Sequence, residues 1–339
     1  MTLRIGVLGA ARIAESALIA PARLAGHRVV AVGARDAGRA RAFATRHGVE
    51  RAYGSYDEVL ADPEVDVVYN ALVNSQHAPW NLRAVAAGKH VLSEKPFAAN
   101  GAQARSVADA ACGSDRIVME AFHYAMHPML RRIRAIVLSG ELGDLRHVEA
   151  TVMIPAPADD DPRWRLDLAG GAMMDLGCYG LHAFGQVAGW LGGSPLVRSA
   201  RAGQRVGRAG VDEWVQAELE LPAGATASLL AHMAGPELQM RLVLTGSRGQ
   251  LEAPCFVLPQ LDERLLVTVG SAERHEWVTG PTSYDWQLAA LDAAVRGTAP
   301  PPLGLDDAVA TMDLVDATYR AAGMQPRPGD VELDGIGRT

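Results

Sequence analysis

Short apolar runs alternate with helical segments through the first third of the chain, and no other feature of the sequence limits the fold as strongly. The runs are rich in β-branched residues, and the segments between them are polar and alanine-rich, with apolar residues at helical spacing. We predict strands at residues 3–8, 28–32, 65–71, 90–92 and 117–119, and helices at 37–46, 79–87 and 102–111. Strand–helix–strand units of this kind are right-handed and form a parallel sheet covered by helices. The pattern therefore indicates a doubly wound α/β domain.

The pattern changes after about residue 125. We predict helices at 128–138, 172–190, 284–296 and 306–322, and strands at 146–154, 211–221, 226–232, 239–245, 250–254 and 265–269. Turn residues separate several of these strands, as in an antiparallel meander. A chain of 339 residues also exceeds what one hydrophobic core usually fills. We therefore expect two domains, residues 1–125 and residues 126–339, the second of the α+β class.

The first predicted strand runs into a turn that reads GAARIA at residues 9–14. Against the dinucleotide-binding pattern G-x-G-x-x-G/A, Gly9 and Ala14 match, whereas Ala11 replaces the middle glycine. Free N–H groups at the start of the following helix favour a pyrophosphate. We predict a Rossmann dinucleotide site that includes Gly9, Ala11, Arg12 and Ile13. The alternative is an alanine-rich strand–helix turn with no ligand.

The end of the second strand indicates which dinucleotide binds. An NAD site usually has an acidic residue there for the ribose hydroxyls, but this chain has Ala34 followed by Arg35. A guanidinium can hold a 2′-phosphate with two parallel hydrogen bonds. The sequence therefore favours NADP over NAD. Asp36, which follows, is an acid that could serve NAD instead, or it could cap the next helix.

Five segments resemble the glucose–fructose oxidoreductase/inositol dehydrogenase (Gfo/Idh/MocA) family. They are the Glu94-Lys95-Pro96 motif within residues 88–96, the Asn74-Ser75-Gln76-His77 loop, the EAFHYAMHP junction at 120–128, the GGAMMDLGCY motif at 170–179, and the end at 316–323. The resemblance implies a Rossmann domain plus a domain with an open-faced, largely antiparallel sheet. It also implies hydride transfer on sugars or polyols, and homodimers or homotetramers. The family's junction commonly reads E-A-F-M-Y-R-x-H-P, so this chain has His123 at the methionine and lacks the arginine.

The residues themselves support hydride transfer. Removing a hydroxyl proton while hydride leaves the same carbon requires a base and a nearby cation. Lys95 follows a strand whose carboxyl end faces the ligand crevice of α/β proteins. Asp175, Tyr179 and His182 are spaced to share one helix face.

We expect Tyr179 to be the proton donor or acceptor, because a cation such as Lys95 can stabilise its phenolate. Asp175 would orient Lys95 or a substrate hydroxyl. A tyrosine at this position resembles the glucose–fructose oxidoreductase and dimeric dihydrodiol dehydrogenase branches, whereas inositol dehydrogenases often have histidine. The alternative is a surface lysine, a core tyrosine and a helix-terminal aspartate.

The remaining candidates follow from the resemblance. Asn74, His77 and Glu94 would line the nicotinamide end together with Lys95, and the residues bordering the substrate would be Tyr124, Arg163, Trp164 and His182. His123 and His127 have the spacing of a zinc pair, but no acidic residue lies between them, so we expect no metal. A packed core or solvent-facing role is the alternative for each of these side chains.

Charge and cysteine content narrow the class of protein further. The net charge of −7 offers no basic stripe for nucleic acid. The three cysteines form no CxxC pair, and no membrane-spanning run is apparent, so we expect a soluble, cytoplasmic protein. The leading hypothesis is NADP-dependent oxidation of a sugar or polyol hydroxyl, or the reverse reduction. The alternatives are a ketoreductase acting on a nucleotide-linked sugar and a non-catalytic NADP-binding regulator. The sequence does not identify the substrate or the direction.

Overall fold

The computed structural model describes residues 2–329, which form two compact units. Within the described range, the first comprises residues 2–122 and 284–309 with residue 329, and the second comprises residues 123–283 and 310–328. The second unit therefore begins next to the predicted boundary at 125, while residues 284–309 group with the first unit by their contacts. The division into domains 1–125 and 126–339 stays a prediction. Among residues 2–329, no helix is both long enough and apolar enough to cross a membrane.

The first unit is built on a parallel sheet. Its strands are β1 (Arg4–Leu8), β2 (Arg28–Gly33), β3 (Arg51–Tyr53), β4 (Val67–Asn70), β5 (His90–Ser93) and β6 (Val118–Glu120), and its helices include α1 (Ala20–Ala25), α2 (Ala37–His47), α3 (Tyr56–Ala61), α4 (His77–Ala86) and α5 (Gly101–Cys112). The strand order is β3-β2-β1-β4-β5-β6, and all pairs are parallel. This is the Rossmann order, in which ligands bind where the order reverses beside β1. The predicted α/β fold is confirmed.

The second unit contains an eight-stranded sheet and the helices that precede and cover it. Its elements are α6 (Pro128–Leu138), β7 (Leu145–Met153), α7 (Cys178–Trp190), β8 (Leu196–Gln204), β9 (Asp212–Glu220), β10 (Thr226–His232), β11 (Gln239–Gly246), β12 (Gly249–Ala253), β13 (Arg264–Val269) and β14 (Ala272–Trp277). The order is β14-β13-β12-β11-β7-β10-β9-β8, and only β7 and β10 are parallel. The predicted largely antiparallel sheet is confirmed.

Helix α7 packs on β7 and β10. A side chain at Gly180 would come within 2.5 Å of Leu229 and 3.2 Å of Ala150, so the close approach of helix and sheet requires glycine there. Two helices follow the sheet, α8 (Ser283–Val295) and α9 (Leu305–Ala321).

Candidate active site

The glycine turn after β1 has the geometry that a dinucleotide site requires. Gly9 has φ of 96°, and a Cβ there would lie 3.0 Å from Leu72 Cδ2, so only glycine fits without strain. Its N–H donates to the Gly33 carbonyl at 2.9 Å. Arg12 and Ile13 are exposed and Ala11 is half-buried, so the turn offers its surface to a ligand. These residues fit a bound pyrophosphate.

Two arginines lie close to the end of β2, Arg35 directly after the strand and Arg39 in the first turn of α2. Arg35 is exposed, Ala34 is buried, and the Asp36 carboxylate accepts the Arg39 N–H at 2.6 Å as the N-cap of α2. Burial raises the pKa of Tyr56, while the positive charges of Arg35 and Arg39 offset part of this rise in pKa. Both guanidinium groups therefore act near the Tyr56 hydroxyl. The sequence analysis missed Arg39, whose helical position gives no sign of a ligand role.

His77 connects two loops at the carboxyl ends of β4 and β5. It is 1% exposed, and its Nδ1 and Nε2 lie 2.7 Å from the Pro96 carbonyl oxygen and 2.9 Å from the Leu72 carbonyl oxygen. Burial lowers the pKa of His77, the Pro96 and Leu72 carbonyls oppose this fall, and the positive charge of Lys95 adds to it. A neutral imidazole has one N–H and donates to only one of these carbonyls, whereas an imidazolium donates to both. His77 thus contacts the Lys95-Pro96 segment, whose peptide bond is cis, through the backbone.

Glu94 is held next to Lys95 by donors on either side. Its Oε1 accepts from the Tyr69 hydroxyl at 2.6 Å, and its Oε2 accepts the Lys95 N–H at 3.3 Å. Burial and the negative charge of Glu94 raise the pKa of Tyr284 to about 12, while Lys95 opposes the rise. The structure thus brings Glu94, Lys95 and His77 together, and Asn74 begins the short helical turn before His77. The sequence analysis missed Tyr284, which comes from a distant part of the chain.

Glu120, at the end of β6, is a third residue that the sequence analysis missed. Its carboxyl oxygens are inaccessible to solvent and make no side-chain hydrogen bond among the described residues. Burial raises its pKa well above the ordinary value, and the negative charges of Asp307 and Glu94 add to the rise, while Lys95 opposes it. This unit therefore holds a carboxyl group whose pKa is raised, in the electrostatic environment of Lys95.

In the second unit, the Gly-Gly motif leads into a π-helical turn, Met173–Gly177, and then into α7. Side chains at Gly170 and Gly171 would collide with the Arg163 carbonyl and the Asp212 carboxylate. Asp175 is half-buried, and its Oδ2 lies 3.3 Å from Arg163 Nη1. Arg163 also pairs with Asp161 at 2.8 Å. The structure thus joins two predicted site residues, Asp175 and Arg163, in one ion pair.

Tyr179 lies on α7 and is 7% exposed. Its hydroxyl oxygen lies 3.5 Å from His123 Nε2, a partner that the sequence analysis considered only as a metal ligand. His182, one turn further, is fully buried, and its Nδ1 lies 2.6 Å from the Tyr124 hydroxyl. Trp164 is also buried, and its indole N–H donates to the Pro157 carbonyl at 3.3 Å. Among the predicted substrate residues of this unit, Arg163 is therefore the most open to solvent.

Comparison with known proteins agrees with this architecture. Residues 3–122 match the Gfo/Idh/MocA oxidoreductase family with its NAD-binding Rossmann fold, and residues 130–252 match the C-terminal domain of that family. The chain is 34% identical over 323 residues to D-xylose 1-dehydrogenase (NADP(+)) 2 of Haloferax volcanii, with 94% of this chain and 97% of that protein covered. It is 33% identical over 270 residues to trans-1,2-dihydrobenzene-1,2-diol dehydrogenase of Sus scrofa, with 77% of each chain covered.

A solved structure is similar over almost the whole length. KijD10, a 3-ketoreductase from Actinomadura kijaniata in complex with NADP and TDP-benzene, superimposes with a TM-score of 0.88 at 28% identity, covering 95% of this chain and 98% of that chain. These matches confirm the predicted dinucleotide-binding Rossmann fold and the oxidoreductase class. The chain belongs to the Gfo/Idh/MocA family of oxidoreductases.

Proposed function

We propose that this protein transfers hydride between NADP(H) and a hydroxyl or keto carbon of a sugar or polyol. The observation that carries the proposal is the position of Lys95, which follows β5 at the carboxyl edge of the parallel sheet and is held there through Glu94 and His77. This edge is where α/β proteins bind ligands. The near full-length similarity to an NADP-dependent D-xylose dehydrogenase supports the reaction class.

The cofactor would lie along the edge of the first unit. Gly9, Ala11, Arg12 and Ile13 would bind the pyrophosphate, since the turn leads directly into a helix N-terminus. Arg35, joined by Arg39, would bind a 2′-phosphate. Asn74, His77 and Glu94 would border the nicotinamide end. When bound, the nicotinamide accepts or supplies the hydride.

Side chains of this protein would transfer the substrate hydroxyl proton. Tyr179 takes the hydroxyl proton during oxidation and returns it during reduction. The positive charge of Lys95 stabilises the Tyr179 phenolate. Asp175, through its ion pair with Arg163, orients a substrate hydroxyl. Tyr124, Trp164 and His182 shape the surrounding pocket from their buried positions.

A second candidate reaction is ketone reduction on a nucleotide-linked sugar. The similarity to a 3-ketoreductase crystallised with TDP-benzene favours it. A non-catalytic NADP-binding regulator is less well supported, because the chain keeps Lys95, Asp175 and Tyr179 together with its membership of an oxidoreductase family.

Turnover with a substrate panel separates these functions. We expect NADP⁺ reduction with aldoses such as D-xylose, or with a trans-dihydrodiol. If instead only NADPH oxidation with a TDP-linked ketosugar is observed, the second candidate is correct. Stoichiometric NADPH binding without turnover of any panel member would contradict the enzymatic proposal and favour the regulator.

We further propose a homodimer or homotetramer located in the cytoplasm. The outer face of the eight-stranded sheet is rich in half-buried polar groups, including Arg241, which pairs with Glu149 at 2.6 Å and Glu252 at 2.9 Å. Arginine is enriched at protein interfaces, and oligomers of identical chains are mostly symmetric, so we expect this face to form the contact between copies. Light scattering should report at least a dimer at micromolar concentration, and a purely monomeric mass would contradict the proposal.

A further inference from the structure

A continuous series of hydrogen bonds in the second unit ends at Tyr179. The Ser283 hydroxyl donates to Gln260 Oε1 at 3.0 Å, and the Ser283 backbone N–H donates to the same oxygen at 3.4 Å. Ser283 Oγ lies 2.8 Å from His123 Nδ1, and His123 Nε2 lies 3.5 Å from the Tyr179 hydroxyl oxygen. Ser283 is fully buried and His123 is 3% exposed, so the series is shielded from water.

The donors and acceptors in this series fix the tautomer of His123. A backbone N–H can only donate, so the Gln260 atom that it faces must be the amide oxygen, which can only accept. The Ser283 hydroxyl therefore uses its single hydrogen on Gln260, and its oxygen must accept from His123 Nδ1–H. In a neutral imidazole the other nitrogen, Nε2, then has a lone pair, and this lone pair faces the Tyr179 hydroxyl.

We propose that His123 is a positioning residue that exchanges the Tyr179 proton and stabilises the phenolate. The inference rests on the proposed role of Tyr179 in proton transfer. During oxidation, the Tyr179 O–H bond breaks and a His123 Nε2–H bond forms, leaving a phenolate beside an imidazolium. The Tyr179 oxygen then takes the substrate hydroxyl proton as hydride leaves the same carbon. The tyrosine is neutral again, and His123 holds one extra proton. When the product leaves, water takes the Tyr179 proton from the substrate side, and His123 Nε2–H returns its proton to the Tyr179 oxygen.

The location of the imidazolium supports this role. Its charge lies in the same unit as Tyr179 and close to its oxygen, so it stabilises the phenolate directly. Tyr124 packs edge-to-face against the Tyr179 ring, and its hydroxyl oxygen lies 2.6 Å from His182 Nδ1.

The first test reads the tautomer directly and does not need activity. Nitrogen-15 NMR of histidine-labelled protein at neutral pH should show His123 protonated on Nδ1, with Nε2 unprotonated and hydrogen-bonded. The Tyr179→Phe variant should shift the Nε2 resonance, and Ser283→Ala should weaken the preference for Nδ1–H. A spectrum in which His123 carries its proton on Nε2 would overturn the proposal.

The second test uses kinetics, with Tyr179→Phe as the reference. His123→Phe should lower kcat for oxidation by about ten- to a hundred-fold, the lower part of the range for acid–base catalysis, and should raise the pH needed for oxidation by about one unit. KM should stay nearly constant. Ser283→Ala, which removes one hydroxyl and disturbs packing little, should produce a smaller change in the same direction. In a Tyr179→Phe background, His123→Phe should have no further effect.

A matched control shows how far the loss of any buried imidazole in this segment changes kcat and the pH profile. His127 is also buried in the junction and caps α6 by accepting the Met129 N–H at 3.2 Å, a role that asparagine can fill. His127→Asn should keep the wild-type pH profile. If Tyr179→Phe retains turnover, the proposed function of Tyr179 is wrong. If Tyr179→Phe loses turnover while His123→Phe and Ser283→Ala keep the wild-type kcat and pH profile, only the relay is wrong.

Discussion

We propose that exposed positive charge after β2 selects NADP(H) over NAD(H). Burial raises the pKa of Tyr56, and the charges of Arg35 and Arg39 both oppose this rise. Both charges therefore act on the Tyr56 hydroxyl. Asp36, the one acid nearby that could serve an NAD ribose, is occupied as the helix N-cap. The sequence predicts Arg35 from its place in a known pattern. It does not predict Arg39, because the convergence of the two side chains depends on how the strand turns into α2.

Arg35→Ala should weaken NADPH binding by about 1–3 kcal/mol, the scale of a charge-assisted hydrogen bond, and should affect NADH little. Adding Arg39→Ala should weaken NADPH binding further. Dissociation constants for both cofactors, measured by fluorescence titration, test this. Arg41→Ala on the same helix is the control and should change neither constant. Equal losses for NADPH and NADH in Arg35→Ala would contradict the assignment.

The π-helical turn before α7 is held by buried hydrogen bonds and an ion pair that involve Arg327, Asp212 and Tyr319. Arg327 is 2% exposed, pairs with the buried Asp212, and donates to the Gly170 carbonyl at 2.6 Å. Asp212 also accepts the Met173 N–H at 2.6 Å and the Tyr319 hydroxyl at 3.0 Å. The segment that carries Asp175 is thereby fixed at its first residues.

Arg327→Met should destabilise the protein by about 3–5 kcal/mol, because it leaves the Asp212 carboxylate buried without its cation. Turnover of the folded fraction should fall too, since the Gly170 carbonyl loses its donor and Asp212, which holds the Met173 N–H, loses its cation. Denaturant unfolding checks the first effect. Arg146→Met removes an exposed ion pair to Asp144 and should cost at most about 1 kcal/mol. Similar losses in both variants would contradict the importance of the network.

The elements that the sequence predicts well are those with one buried face. The helix at 128–138 and the strand at 226–232 are observed with the predicted bounds as α6 and β10. The missed strands, β8 and β14, are the two edges of the large sheet, where few side chains are buried and no alternation results. The short elements β3 and α3 were also not predicted. Segments of three and six residues are too short to show the hydrophobic periodicity of a strand or a helix.

Across the chain, the fold could be predicted more fully than the site. Periodicity reveals the two sheets, and the motifs reveal Lys95 and Tyr179. By contrast, Glu120, Tyr284 and His123 acquire their roles from neighbours far away in sequence, such as Asp307 for Glu120 and Ser283 for His123. Sequence reasoning has no local signal for such pairs.

Glu120 makes the stability of the protein depend on pH. Its pKa in the folded protein is raised well above the ordinary value by burial and by Asp307, so the folded state binds a proton that the unfolded chain releases. The resulting stabilisation is fully present below the unfolded pKa of glutamate and is lost as pH rises through the folded pKa. Glu120→Gln keeps the shape without the charge, so its stability relative to wild type should increase as the pH rises above the unfolded pKa of glutamate.

Urea unfolding of both proteins at each pH measures this difference. Glu273→Gln on the exposed edge strand β14 is the control and should show no such trend. A difference between Glu120→Gln and wild type that is constant with pH would show that Glu120 ionises normally in the folded protein.

The central claim is that Lys95 and Tyr179 serve one proton transfer, and a double-mutant cycle on kcat tests it most directly. Lys95→Met and Tyr179→Phe should each reduce kcat by roughly a hundred- to ten-thousand-fold. The double variant should be scarcely slower than either single one, because residues that act as a unit are not additive. NADPH affinity should stay nearly unchanged in Tyr179→Phe. A double variant whose loss equals the product of the single losses, or near-normal turnover in Tyr179→Phe, would contradict the account.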